Sequence, residues 1–169
     1  ISSKKFRHIQ SNIAFAVDHP YVINNDPSNE IQNIPEWIIH FLRAKFLKKT
    51  SKKFPSKFYI DRRDAKSNHS KLRRIINEEE LKKFLIKKGY SIIALSDLSF
   101  EDQISLFNNA SEIIGLHGAG FANLTFCKPQ TLVLELKPKN AGFMYSNLAK
   151  KLKLNFRDIS VEASTYSND

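Results

Sequence analysis

Cysteine is almost missing from this 169-residue chain: Cys127 stands alone, which excludes an internal disulfide. Its place beside the apolar Phe121–Phe126 stretch predicts a buried small residue rather than a nucleophile. No apolar run approaches the length of a membrane span, and no leader-like stretch precedes the first expected strand. Asp-x-Asp does not occur, and the five histidines (8, 19, 40, 69 and 117) are scattered, never at i, i+4 beside a Glu. The pattern therefore gives no metal-ligand cluster, and no metal or cofactor is expected. Internal repeats and low-complexity tracts are absent too. Acidic residues are few, 17 Asp and Glu against 27 Lys and Arg, for a net charge of +10. That excess favours anionic partners: nucleic acid, a membrane surface or a phosphorylated small molecule.

What is present reads as one globular domain. Hydrophobic residues make up 41% of the chain, with 13 Phe, enough for a real core and too little length for two comfortable ones. A chain that starts at Ile1 rather than Met is expected to be a piece of something longer, so a missing domain could hold half of any site. Much of the charge lies in lysine pairs (Lys48-Lys49, Lys52-Lys53, Lys87-Lys88, Lys150-Lys151) that suit a solvated face. The arginines are more concentrated, with Arg62, Arg63, Arg73 and Arg74 in one short window.

Strands and helices alternate along the chain. Residues 12–18 predict a first strand. Pro35 then opens a helix with Trp37, Ile38, Phe41, Leu42 and Phe46 at helical spacing. Residues 57–60 form a compact strand with Asp61, Arg62 and Arg63 at its carboxyl end, followed by a basic loop over 65–74. Asn77 with Glu80 and Ser99 with Asp102 are capping-box patterns, and Gly89 marks a helix stop. Further strands are expected over 90–95, 113–116, 131–136 and 155–161, with a helix on Phe143, Met144, Leu148 and Leu152. The expectation is an α/β, Rossmann-like, mostly parallel sheet with helices on both faces over residues 1–161, and a tail over 162–169.

The stretch Leu116-His117-Gly118-Ala119-Gly120 turns a buried strand into a short helical segment that Lys128-Pro129 ends. Unpaired N–H groups at the start of that segment, with no Cβ on Gly118 or Gly120, would admit a phosphate; the same glycines would equally serve a tight packing turn. The forks of Arg62 and Arg63 suit two phosphate oxygens, and one of the pair is expected to make the contact. Glu135 interrupts a buried strand, either to accept ribose hydroxyl protons or to be satisfied by backbone amides. Asn123 would orient the turn, cap local backbone or touch a ligand. His117 is a base or a hydrogen-bond donor to phosphate.

In order and spacing, Tyr-Ile-Asp-Arg-Arg-Asp-Ala (59–65), Arg-Arg-Ile-Ile-Asn-Glu (73–78), Ser-Phe-Glu-Asp-Gln-Ile-Ser-Leu-Phe (99–107), Gly-Leu-His-Gly-Ala-Gly-Phe-Ala-Asn-Leu (115–124) and Leu-Glu-Leu (134–136) resemble glycosyltransferase family 61. The resemblance covers about residues 35 to 140. It implies the C-terminal, donor-binding half of a two-domain GT-B enzyme, an inverting transfer from a UDP-type nucleotide sugar to a glycan acceptor, and a bacterial capsular or surface polysaccharide setting. A cytoplasmic location, peripheral to the inner face of a membrane, is expected, with the missing N-terminal domain as a partner and, from the positive charge, an anionic membrane surface as another. The donor site that the resemblance implies draws on Arg62, Arg63, His117, Gly118, Ala119, Gly120, Asn123 and Glu135. Asp61 and Leu116 depart from the family's usual Ser and Pro, and Asp61 adds negative charge beside the expected diphosphate. Two other classes stand beside it: a non-catalytic nucleotide-binding or regulatory module, and a nucleic-acid-binding domain, for which no reader motif or aromatic-interleaved basic loop is present.

Overall fold

Five short β-forming runs, separated by polar helix-forming segments, settle into one parallel sheet. They are β1 (Lys57–Asp61), β2 (Ser91–Ala94), β3 (Glu112–Leu116), β4 (Leu132–Pro138) and β5 (Asn155–Val161). The computed structural model describes residues 35–62, 75, 77–139 and 141–161. The strand expected over 12–18, the basic loop over 65–74, Arg63, Arg73, Arg74 and the tail over 162–169 lie outside the described residues. Parallel strands need crossovers, and helices α1 (Glu36–Phe46), α2 (Glu78–Lys87), α3 (Phe100–Asn109) and α4 (Met144–Lys151) accompany them. The strand order is β2-β1-β3-β4-β5, with every neighbouring pair parallel. The chain therefore leaves β1 to build β2 on one side and returns with β3 on the other. At such a reversal, a doubly wound sheet opens a crevice at the carboxyl ends of the two strands.

Alternation along the strands divides the core. Phe58, Ile60, Ile113 and Val133 face one side, where α3 (Ile104, Phe107), α4 (Tyr145, Leu148) and Ile39 of α1 cover them. Tyr59 and Ile114 face the other, against Leu85 and Leu81 of α2. Helices flank both faces as expected, but among the described residues only α2 packs on the second. Each fully buried large apolar side chain contributes about 1.5–3 kcal/mol, which concentrates stability on the first face.

Local signals decide most element ends. The Ser99 side chain accepts from Asp102 N–H at 3.1 Å, so that capping box forms. Gly89 takes φ +83° after α2, the left-handed stop that glycine suits. The Asn77–Glu80 box does not form, since Asn77 makes no side-chain cap; the neighbouring Glu78 accepts from Tyr59 Oη at 2.9 Å. After β3 comes a 3-10 segment, Ala119–Phe126, rather than an α-helix. Phe121, Leu124 and Cys127 recur every third residue and are fully buried, the spacing that a 3-10 turn stacks on one edge. Arg43 of α1 closes this segment, with Nη1 donating to the carbonyls of Thr125 (2.8 Å) and Cys127 (2.7 Å).

Candidate functional site

The crevice predicted by the strand order exists. A cleft of about 450 Å³ opens at the carboxyl ends of β1 and β3, between Asp61 and Arg62 on one side and Gly118 to Gly120 on the other, with Gln103 and Asn123 along its wall. Of the residues that the sequence marks out, Arg62, Gly118, Ala119, Gly120 and Asn123 meet here although they lie far apart in the chain, whereas His117 and Glu135 are not among the lining residues.

Arg62 and the glycine turn form one unit. Arg62 Nη1 donates to the His117 carbonyl at 3.0 Å. A Cβ placed on Gly118 would lie 3.1 Å from Nη1 and 3.2 Å from Cζ, so the guanidinium rests against bare backbone. Gly118 has φ 164°, an extended conformation open to any residue. The missing side chain there thus serves the close seat of the arginine and not the dihedral angle. Gly120 differs: its Cβ would come within 2.9 Å of Leu95 Cδ1, a packing constraint. Phe121 N–H bonds the Gly118 carbonyl. The N–H groups of Ala119 and Gly120 precede the first hydrogen bond of the 3-10 segment and have no acceptor within it.

Glu135 has a partner not considered for it in the sequence, the His117 imidazole. The carboxylate is 1% exposed, and its Oε1 lies 2.7 Å from His117 Nδ1. The strands explain the meeting. Gly115 is in register with Glu135, and His117 N–H continues the ladder to the Leu136 carbonyl at 2.8 Å. The Tyr145 ring, 5.2 Å centroid to centroid, flanks the imidazole. With Nδ1 held by a carboxylate, the tautomer is set and Nε2 is the nitrogen left for a ligand or a proton.

Residues that sequence reasoning passed over complete the site. Lys82 Nζ lies 3.2 Å from the buried Asp61 carboxylate, which offsets the negative charge at this departure from the family pattern. Gln103 donates to the Leu95 and Leu98 carbonyls and accepts from Asn123 Nδ2 at 3.1 Å, so Asn123 is held by a side chain rather than by the turn. Gln103 lies inside the 99–107 stretch, which could have marked it. Burial first, and then Glu78, holds the Tyr59 hydroxyl far above its ordinary pKa, a neutral donor. Burial likewise pushes the Cys127 thiol up to about 12, which removes it as a nucleophile. Among the described residues, no three His, Cys, Asp or Glu side chains gather as metal ligands.

The profile described as Glycosyltransferase 61 matches residues 6–134. The chain is also similar to the EGF domain-specific O-linked N-acetylglucosamine transferase of Drosophila melanogaster, at 27% identity over 106 residues. That alignment takes in 61% of this chain and 20% of the relative, so the chain spans a small part of the length of the curated protein it matches.

Proposed function

The chain belongs to the glycosyltransferase 61 family, and we propose that it is the donor-binding half of a GT-B enzyme that moves a sugar from a nucleotide sugar to a glycan acceptor. One observation carries the proposal: the Arg62 guanidinium lies against Gly118 and the free end of a 3-10 segment, inside the cleft between β1 and β3. When the glycosidic bond to the nucleotide breaks, negative charge builds on the departing diphosphate. A guanidinium, two backbone N–H groups and an imidazole N–H stabilise such charge without a metal, provided they are fixed before the reaction. In this scheme Arg62 and the Ala119 and Gly120 amides hold the diphosphate. His117 donates from Nε2, and Glu135 acts through His117 rather than on a ribose. The Lys82–Asp61 pair keeps the cleft's own carboxylate from repelling the donor.

The acceptor and the base that takes its proton belong, in this reading, to an N-terminal domain facing the cleft. The chemistry would be inverting, and the setting bacterial capsular or surface polysaccharide synthesis on the cytoplasmic side. The test is calorimetric titration of the chain with UDP and other nucleoside diphosphates in the presence of a chelator. Binding is expected without metal, and Arg62→Ala should abolish it at unchanged melting temperature. Affinity that vanishes in chelator and returns with manganese would overturn the metal-free scheme. Failure of every nucleoside diphosphate to bind would overturn the donor-site assignment.

A further inference from the structure

Away from the cleft, the described residues leave an unusual face on α1. Trp37 and Phe41, one helical turn apart, are 50% and 56% exposed, whereas Ile39 and Arg43 turn inward. Ala44 and Lys45 continue the exposed line at helical spacing, and Lys48 follows, exposed, just beyond the helix end. Where α1 ends, the chain enters a cleft of about 570 Å³ ringed by Lys48, Lys49, Lys52, Lys53 and Lys128. Two carboxylates reach these lysines, Glu101 at 3.5 Å from Lys48 and Asp102 at 2.8 Å from Lys52, so five cations meet two anions. Phe100, 53% exposed, stacks edge-on against Phe46 at the same rim. The basic cleft borders Phe54, just ahead of β1, and the last turn of α3. That is the amino-terminal end of the sheet, opposite the Arg62 cleft.

Protein interfaces enrich Trp and Phe but deplete Lys. Aromatic rings beside a dense lysine field instead match a bilayer boundary, where rings enter the headgroup layer and lysines meet acidic lipid. We propose that the α1 face and the 48–53 lysines form a docking surface for an acidic phospholipid membrane. The 48–53 lysines lie at the end of the sheet opposite Arg62, and the proposal does not depend on the donor assignment.

Trp37 is the chain's single tryptophan, so its emission reports on this face alone. The chain is mixed with vesicles of phosphatidylcholine, or of phosphatidylcholine and phosphatidylglycerol in equal parts, and read by fluorescence and co-sedimentation. Acidic vesicles should sediment the protein and shift Trp37 emission to the blue, and high salt should reverse both. Lys49→Glu with Lys53→Glu should weaken partitioning at least about tenfold. Phe41→Ser should reduce the shift, with thermal unfolding unaltered by either change. Sedimentation with no Trp37 shift would overturn the proposal, since the protein would then adhere elsewhere by charge. Equal binding to neutral vesicles would overturn it as well. So would a Trp37 emission already blue in buffer and inert to lipid, the result for a face covered by protein.

Discussion

His117 Nδ1 and Glu135 Oε1 stand 2.7 Å apart, the carboxylate 1% exposed, at the point where β3 and β4 end side by side. A buried carboxylate held by one imidazole makes the histidine structural and chemical at once. His117→Ala should therefore cost about 1–3 kcal/mol of stability, because it strands a buried acceptor. It should also weaken nucleoside diphosphate binding by a similar amount. His117→Ala combined with Glu135→Leu should recover much of the stability and none of the affinity, because an apolar pair replaces a broken polar one. Urea denaturation and titration calorimetry on the unaltered chain and these two variants separate the two roles. A single variant that leaves both quantities unchanged would make the pairing idle.

Gly118→Ala probes the arginine seat without backbone strain, because φ 164° is open to alanine. The added methyl meets Arg62 at 3.1 Å, and the guanidinium must lift. The melting temperature should hold while UDP affinity falls, and on an Arg62→Ala background Gly118→Ala should add nothing further. Additive losses in the double variant would mean that glycine and arginine act apart.

Gly89→Ala tests the other use of glycine. Its Cβ would find open space, so only φ +83° opposes it. A loss of about 1 kcal/mol is expected in chemical denaturation, with no effect on nucleotide binding.

Alkaline pH should destabilise the fold through three acids held protonated: Tyr59, raised far above its ordinary value by burial and then Glu78, together with Tyr90 and Cys127. Burial, helped by Glu112, raises the Tyr90 hydroxyl to about 12, and burial raises the Cys127 thiol to about 12. Below the unfolded values, about 8.5 for Cys and 10 for Tyr, both states keep these protons and nothing is lost. Above them the unfolded chain releases protons that the folded chain retains, so stability falls as pH rises from about 9 toward 12. Tyr90→Phe and Cys127→Ala should each flatten that limb in thermal scans across the range. An unchanged slope in both would refute the assignment.

Lys82→Ala should lower UDP affinity most at low ionic strength, because the charge that offsets Asp61 at 3.2 Å is gone. Adding Asp61→Asn should restore it, as read by the same titration in low and high salt.

How much of this was legible in the chain depends on distance along it. The parallel sheet follows from alternating runs, and the Gly89 stop and Ser99 cap from neighbours within three residues. Each of these is decided locally. The Asn77 box had the same local form yet makes no side-chain cap, and the bond from Tyr59 to Glu78, 19 residues away, was not legible. The partner of Glu135 lies 18 residues back, and the reason for Gly118 is an arginine 55 residues before the His117 carbonyl it bonds. Such pairs are created by strand order and register, which no spacing rule encodes. The 3-10 segment was half legible: its ends were readable, but its period emerged only once Phe121, Leu124 and Cys127 were seen to share one buried edge.

Arg43 ties α1 to the end of that 3-10 segment by two short bonds to carbonyls more than 80 residues away. The segment that begins with the Ala119 and Gly120 amides therefore cannot fray from its far end while α1 stays in place. Amide hydrogen exchange should find the Cys127 and Leu47 N–H groups, bonded to Leu124 and Arg43, opening with one shared free energy as a single cooperative unit. A force or ligand that steadies the helix then slows the opening of the loop, and the loop's stiffness is set by a residue outside the cleft.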